Sequence, residues 1–466
     1  MTTTNNTNTV AIIGAGLVGS VLALGLKKRG VDVAIYERRA DPRGAGMSGG
    51  RSINLALSDR GMLALAAAGV TADVEAVAIP MSGRRMHAKD GASSYMAYGL
   101  NGEAIRSVSR GGLNLTLMTL CERAGIPIHF EHRCEHVDLK ATRVSFNTPA
   151  GDVVVDAGSI VGADGAFSAV RAAFLKTDRF DYSQTYLPHG YKEITIPAAV
   201  GAGFRFDENA LHIWPRSSFM LIALPNLDGS FTGTLFLAHE GEDPSFNSLS
   251  TPAAARAFFA EQFGDVLTEM DDFDEQWATN PVSSLSTVRC GPWVRGNSFL
   301  IGDASHAIVP FFGQGMNAGF EDCRILFELL DESKARGEDV AVSSWRPLLE
   351  VFYMARKQNA DAIATLALEN FVEMRDKVGQ PEFLYRKQVE AAFARANPDV
   401  VTPAYTMVTF RPLLGYAEAL LRARAQDAVL DTLCESAAVR RHLAGDASVV
   451  NEVKALFESA AIRLQG

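Results

Sequence analysis

Cysteine is scarce in this chain, with five among 466 residues. Cys121, Cys134, Cys290, Cys323 and Cys434 are far apart, odd in number and never paired at short spacing. A disulfide framework is therefore not expected; the pattern fits a reducing compartment, which we read as the cytoplasm. Positive charge is also in deficit, with 44 Lys and Arg against 54 Asp and Glu and a net charge of −10. Nucleic acid and acidic membrane surfaces are poor partners for such a chain. It has no uninterrupted apolar run of the roughly 18 residues that a membrane span requires, so no membrane association is expected. The polar start, residues 1–9, lacks a basic-then-apolar signal pattern and reads as a short frayed leader. Repeats, low-complexity tracts and flexible linkers are missing too. What remains is an ordinary globular composition, 47% apolar and 21% charged, long enough for two or three domains.

Residues 10–37 read as strand, glycine turn, helix and strand, a βαβ unit. Gly14, Gly16 and Gly19 have the spacing in which one glycine makes the tight turn, the next lets backbone approach a pyrophosphate, and the third permits close strand–helix packing. Glu37 ends the second strand, where a carboxylate can accept hydrogen bonds from an adenosine ribose. Two further strand ends carry an aspartate, Asp164 in Val161-Gly-Ala-Asp-Gly and Asp303 in Ile301-Gly-Asp. After Asp303, Gly313-Gln-Gly315 opens a helix expected over about 316–330. Its unpaired N–H groups and positive dipole end suit the electron-rich edge of a reduced flavin, and Asp303 can reach a ribityl hydroxyl.

Residues 88–100 look like a hairpin region and 190–237 like an antiparallel sheet with a turn at 225–229. Beyond Phe320 the pattern is helical, interrupted near Pro381, Pro398, Pro403 and Pro412. The expected fold is α/β: a Rossmann-like FAD-binding domain (1–75, 101–180 and 285–330) interleaved with an antiparallel β-sheet substrate domain (76–100 and 181–284), plus a helical C-terminal region (331–466).

The three glycine and aspartate fingerprints resemble, in order and spacing, those of the single-component flavin-dependent aromatic hydroxylases. That resemblance implies that Glu37 and Arg38 hold the adenosine, Arg110 the pyrophosphate region, Asp303 the ribityl chain, and Gly315, Met316 and Asn317 the isoalloxazine. Asp164 is then structural and shared with nicotinamide binding. Leu17, Leu55, Ala56, Cys134 and Pro310 join the cofactor candidates.

Further strings, among them Arg51-Ser-Ile-Asn-Leu-Ala-Leu-Ser58, Gly83-Arg-Arg-Met-His87, Pro188-His-Gly-Tyr-Lys-Glu193, Asn209-Ala-Leu-His-Ile-Trp-Pro215, Leu368-Glu-Asn-Phe-Val-Glu-Met374 and Tyr405-Thr-Met-Val-Thr-Phe410, closely resemble the kynurenine 3-monooxygenase family over about residues 10–420. The soluble bacterial form is implied, because no C-terminal anchor is visible. An aromatic amino acid needs a cationic fork for its carboxylate, polar contacts for its amine and carbonyl, and an apolar slot for its ring. The resemblance places Arg84, Tyr98 and Tyr405 at the carboxylate and adds Asn370. Met220, Ile222 and Leu224 share a strand face, and with Leu211 and Phe236 they line the slot on the same resemblance, joined by Phe312 and Met374. Phe312 stands where some members of the family carry histidine, and Val309 where the wider group has a second proline.

The implied activity is hydroxylation of L-kynurenine beside its aromatic amine, with bound FAD, NADPH as reductant and O2 as oxidant, through a flavin hydroperoxide. The flavin carries the chemistry, and no protein side chain is assigned as catalytic. Self-association into a homodimer and the path taken by NADPH stay open. The alternatives are a hydroxylase of another aromatic acid, or a non-catalytic binder like the GDP-dissociation inhibitors. His129, His132, Cys134 and His136 fit a strand and its exit better than a metal site. Gly46-Met-Ser-Gly-Gly50 lacks the strand that a hydrolase elbow requires.

Overall fold

The computed structural model describes residues 2–44, 54–99, 102–201, 203–268, 270–376 and 380–465. Its first sheet has eight strands. Val294–Arg295, Ser298–Leu300, Gly151–Gly162, Thr2–Ile13, Val33–Tyr36 and Ile128–His129 follow one another in space, while Arg143–Thr148 and Arg133–Asp138 extend Gly151–Gly162 on an antiparallel flank. Val10, Ala11, Ile12 and Ile13 are all buried, as expected of a parallel strand covered on both faces. The register aligns the ends: Ile13 faces Tyr36 and Gly162, and Gly162 faces Leu300. The segments that leave those strands, beginning at Gly14, Glu37, Ala163 and Ile301, therefore emerge together at one carboxyl edge, where open α/β sheets bind ligands.

The frayed leader expected over residues 1–9 is corrected here. Thr2–Ile13 is one strand, parallel to Gly151–Gly162 from Thr2↔Val153 onward, with an irregularity between Asn6 and Val10. The long strand Gly151–Gly162 offers backbone partners beyond the apolar segment, and the threonines of the leader suit a pleated edge.

The second sheet has seven strands in the order Val282–Gly291, Asp181–Ile196, Phe231–Ala238, Phe219–Pro225, Ala210–Arg216, Gly83–His87, Ser93–Ala97. It is antiparallel except where Gly83–His87 runs parallel to Ala210–Arg216, which sets Arg84 beside Leu211. Val282–Gly291 belongs to this sheet and crosses the position 285 expected from sequence. One face packs on helices between Pro252 and Thr279 around Trp214, Phe259 and Phe273. A third, three-stranded antiparallel sheet, Asn54–Leu57, Ile105–Ser109 and Ala78–Met81, was not foreseen; it bridges the two halves.

Two helices that back the first sheet pack closely together. Gly25, in Leu17–Lys28, lies against Phe327 of Gly315–Ala335, so close that an added Cβ would stand 2.0 Å from the ring. The latter helix begins one residue before the sequence pattern suggested and runs one further turn. Beyond it come Arg346–Asp376, Pro381–Ala396, Ala404–Phe410, Tyr416–Glu435, Ala437–Leu443 and Val450–Gln465. Prolines open the gaps, as expected: Pro381 starts one helix and Pro403 immediately precedes another.

Beneath these helices lies an ion cluster with almost no access to water. Arg60 is 0% exposed, Glu321 2%, Asp322 0% and Arg356 2%. Glu321 accepts from Arg60 and Arg356, each at 2.6 Å, and Asp322 accepts from Arg356 at 2.7 Å and His306 at 2.6 Å. Burial opposes ionisation of Glu321 and Asp322, but the surrounding cations prevail and hold both carboxyls below their ordinary values.

Two outcomes follow for stability. Gly25→Ala should lower it by about 1–2 kcal/mol in urea unfolding, because overpacking against buried Phe327 outweighs the gain in helix propensity. Glu321→Gln should cost about 3–5 kcal/mol by leaving Arg60 and Arg356 undercompensated. Carboxyls whose folded pKa is depressed stabilise above their unfolded pKa and lose that contribution as pH falls through the folded one. The unfolding free energy of the native protein should thus fall steeply below about pH 4, and that of Glu321→Gln less steeply.

Candidate active site

The cofactor half is built at the shared carboxyl edge. Gly14 has φ +109°, and a Cβ there would meet the Ala163 carbonyl at 2.6 Å; one at Gly19 would meet the Gly14 carbonyl at 2.2 Å. At Gly16, by contrast, nothing lies within 4 Å of a Cβ position, and this residue caps Leu17–Lys28 without any side-chain hydrogen bond. The helix thus presents free N–H groups, with Leu17 half-buried, to open space that a phosphate fits.

Glu37 is buried; one carboxylate oxygen accepts from the Ala15 N–H at 3.0 Å and the other from Arg39 at 2.8 Å. Burial opposes its charge, and the Arg39 guanidinium more than offsets this, holding the carboxyl below its ordinary pKa. Arg38, the sequence candidate, is exposed; its neighbour Arg39 makes the ion pair.

Arg110 is the exposed first residue of Arg110–Arg123, whose Ser109 cap accepts from Gly112 N–H. Asp164 accepts from the Ala169 and Val170 N–H groups through one oxygen, while the other is buried with no partner among the described residues. Burial raises its pKa, and burial lifts the thiol of half-buried Cys134 to about 12. Cys134 packs on the nucleotide core as a neutral thiol, and His129 lies flat against Tyr36 at 4.8 Å.

Asp303 is exposed, following Gly302 at φ +59°. Asp322 receives the Gly302 N–H at 3.0 Å, so the ion cluster fixes the turn that presents Asp303. Pro310–Phe312 forms a short 3-10 turn, and Gly313 enters the left-handed region at φ +66° before Gly315–Ala335 begins. That helix has no side-chain cap, leaving the Gly315, Met316 and Asn317 N–H groups free of intrahelical partners. The Asn317 side chain is fully engaged: it accepts from Ser58 N–H at 3.0 Å and donates to the Ala56 and Gly313 carbonyls at 2.8 and 2.9 Å. It ties the strand of Leu55 and Ala56 to the helix start, and only its backbone remains for a ligand. An open glycine cradle, an outward carboxylate and an uncapped helix start are the features that FAD requires, and the residues present fit it.

The substrate half stands beside this seat. The Arg84 guanidinium lies 4.1 Å from the ring centre of Tyr405 and 5.3 Å from that of Tyr98. The two tyrosine rings stack at 5.4 Å, and Phe312 also stacks on Tyr405, at 5.7 Å. The result is a continuous pile from Arg84 through Tyr405 to the flavin seat. The Arg84 Nε and the Tyr98 hydroxyl are both buried without a hydrogen-bond partner. Burial pushes the Tyr98 pKa well above its ordinary value, so it remains a neutral donor. A buried donor without an acceptor is costly, and an anion with two oxygens would satisfy both.

The apolar candidates divide into two adjoining groups. Leu224, Leu211 and Ile222 pack with Tyr98, Tyr405, Phe410 and Ala56. Met220 and Phe236 pack with Phe311, Phe312 and Phe371, and Ile222 touches both groups. Asn370 donates to the Phe311 carbonyl at 2.6 Å, anchoring Arg346–Asp376 to the 310–312 turn. The side chain of Met374 lies outside the described residues, as do Arg51 and the glycine-rich segment 46–50.

Arg60 escaped the sequence reading. Its guanidinium donates to Glu321 and to carbonyls of Val408, Arg411 and Leu414, holding the C-terminal end of Ala404–Phe410, the helix that carries Tyr405. Its position in Ser58-Asp-Arg-Gly61 gives no local hint, because every partner is remote in sequence. Gln314, likewise passed over, accepts from the Tyr416 hydroxyl at 3.0 Å.

An FAD binding domain family matches residues 7–339. The kynurenine 3-monooxygenase of Christiangramia forsetii is 44% identical over 425 residues, 91% of this chain and 93% of that protein. That of Myxococcus xanthus is 46% identical over 408 residues, 86% of each. Among solved structures, 2-methyl-3-hydroxypyridine-5-carboxylic acid oxygenase aligns with a TM-score of 0.64 at 20% identity, covering 81% of this chain and 95% of that one. The p-nitrophenol 4-monooxygenase of Pseudomonas putida aligns with a TM-score of 0.65 at 19% identity, covering 89% and 99%. These two share the fold, whereas the closer sequence similarity, running through both halves of the site, makes this chain a member of the kynurenine 3-monooxygenase family.

Proposed function

We propose that the protein is an FAD-dependent monooxygenase that uses NADPH and O2 to hydroxylate L-kynurenine to 3-hydroxykynurenine. The observation that carries this reading is the pair of buried, unpartnered donors, Arg84 Nε and Tyr98 hydroxyl, stacked through Tyr405 and Phe312 onto the flavin seat. A substrate carboxylate on Arg84 and Tyr98 would extend its aromatic ring along Leu211, Ile222 and Leu224, toward the turn that begins Gly315–Ala335. Met220 and Phe236 close the slot behind, with Phe311 and Phe371.

The cofactor would rest its pyrophosphate on Gly14 to Gly19, its adenosine beside Glu37 and its ribityl chain on Asp303, with the flavin ring on Gly315, Met316 and Asn317. When bound, FAD supplies the reduction of O2 and the transfer of one oxygen atom to the ring. The chain's own contributions are orientation and dryness. Arg84, Tyr98 and Asn370 fix the amino-acid end, and the two apolar groups exclude water from the ring. The amine of kynurenine already enriches the adjacent ring carbon, so no protein base is required.

Residues 1–75, 101–180 and 285–330 would serve the cofactor and 76–100 with 181–284 the substrate, with the helices of 331–466 closing the site. No described helix is long and apolar enough to cross a membrane. All five cysteines are free thiols, which supports a cytoplasmic location.

The purified protein supplied with FAD should show a flavin spectrum, consume NADPH in a kynurenine-dependent manner, and yield a product heavier by one oxygen atom. Protein that stays colourless, or NADPH oxidation without hydroxylated product, overturns the proposal. Arg84→Met should weaken L-kynurenine binding by about 1.5–3 kcal/mol, roughly 10- to 150-fold. Kynuramine, which lacks the carboxylate, should bind the native protein and Arg84→Met equally weakly, as read by flavin fluorescence titration.

A further inference from the structure

A second cavity lies away from the flavin seat, between the end of Ala404–Phe410, the turn at 411–415 and the helix Tyr416–Glu435. Its volume is about 370 Å³, within the range of about 300–1,000 Å³ typical of small-molecule sites. Met407, Leu413 and Leu414 supply apolar walls. Met407 follows Tyr405 by two helical positions, about 200° around the axis, so the cavity and the Arg84 fork lie on different faces of one helix.

Polar groups also face this space. Gln426 is only 7% exposed as a residue and lines the cavity, to which its carboxamide has access. Thr402, half-buried, lines it as well. An amide and a hydroxyl lining a largely apolar cavity are the kind of sparse polar groups that orient a ligand there. At the mouth, the two guanidiniums differ. Arg422 is engaged by Glu418 at 2.7 Å. Among the described residues, Arg411 donates to its neighbouring Phe410 carbonyl at 3.2 Å and makes a long ion pair with Glu103 at 3.9 Å. Its side chain is 48% exposed. The half-exposed guanidinium of Arg411 matches a single carboxylate, the lining amide and hydroxyl match one further polar group, and the walls match an apolar body.

We propose that this cavity is a binding site for a small organic monocarboxylate with an apolar, ring-sized body, separate from the kynurenine subsite. The carboxylate pairs with Arg411, a polar group meets Gln426 and Thr402, and the body rests on Met407, Leu413 and Leu414. An occupant touches the same turn whose carbonyls Arg60 holds, at Arg411 and Leu414.

Indole-3-propionate and its uncharged amide, titrated calorimetrically into the full-length protein, test the site without reference to turnover. Arg84→Met, which removes the substrate fork, should bind the acid saturably with one molecule per chain, and the native protein should retain that site whether or not the fork takes a second molecule. Arg411→Met and Gln426→Leu should each weaken it at least tenfold, and the amide should bind at least tenfold more weakly than the acid. Arg411 is at the surface and Gln426→Leu is nearly isosteric, so unchanged melting temperatures are expected and would exclude misfolding as the cause. The proposal fails if the acid shows no saturable binding at millimolar concentration, if Arg84→Met alone abolishes binding, if both cavity variants bind as tightly as the native protein, or if the amide matches the acid.

Discussion

Four buried charges constrain this protein more than any other set of contacts. Taking Arg60, Glu321, Asp322 and Arg356 out of solvent is expensive, and the arrangement persists because almost every donor and acceptor finds a partner. Satisfying them leaves little geometric freedom. Glu321 and Asp322 sit side by side on Gly315–Ala335; Arg356 reaches both from the next long helix, and Asp322 also takes the Gly302 N–H. Arg60 extends the same cluster to the end of Ala404–Phe410. Movement of any one element would strand a charge, so the start of Gly315–Ala335, the turn of Asp303 and the helix of Tyr405 are set by one electrostatic condition.

The two halves of the site then divide the physical work. On the cofactor side the chain contributes mostly backbone: glycines that admit a phosphate, uncapped N–H groups, and strand ends aligned by sheet register. The substrate side is made of side chains, with a guanidinium against the rings of Tyr405 and Tyr98 and two apolar groups meeting at Ile222. Asn317 and Ala56 form the seam, because the Asn317 carboxamide binds the Ala56 carbonyl while Ala56 packs against the Tyr98 and Leu224 group. Reaction of a ring with a flavin demands such a seam, since the binding of one partner must define the distance to the other.

Much of this was legible in sequence because it is encoded locally. Gly14, Gly16 and Gly19 declare a phosphate turn through their spacing, and strand ends with Asp164 and Asp303 declare themselves through apolar runs that stop at a carboxylate. Arg84, Tyr98 and Tyr405 have no such local code; resemblance to relatives brought them together, and the structure places them in one stack. Tasks set by remote partners were not legible. The side chain of Asn317 serves backbone groups of Ala56 and Ser58, Arg60 serves carbonyls some 350 residues away, and Arg39 rather than Arg38 reaches Glu37. The polar leader misled for a related reason: its strand character depends on the long partner Gly151–Gly162, not on any apolar alternation of its own.

The path of the chain through the nucleotide sheet has a kinetic side. Ile12 pairs with Val161, which pairs in turn with Phe299, so the central ladder closes only after two long excursions that include most of the second sheet. Such non-local pairing is slow relative to the folding of local hairpins and helices, and the closure entropy falls due before the contacts reward it. During synthesis the first βαβ segment must wait, with its Val10–Ile13 edge unsatisfied, until the strand near Val161 leaves the ribosome. The segments carrying Gly302 and Gly315 join that ladder only after both excursions are complete.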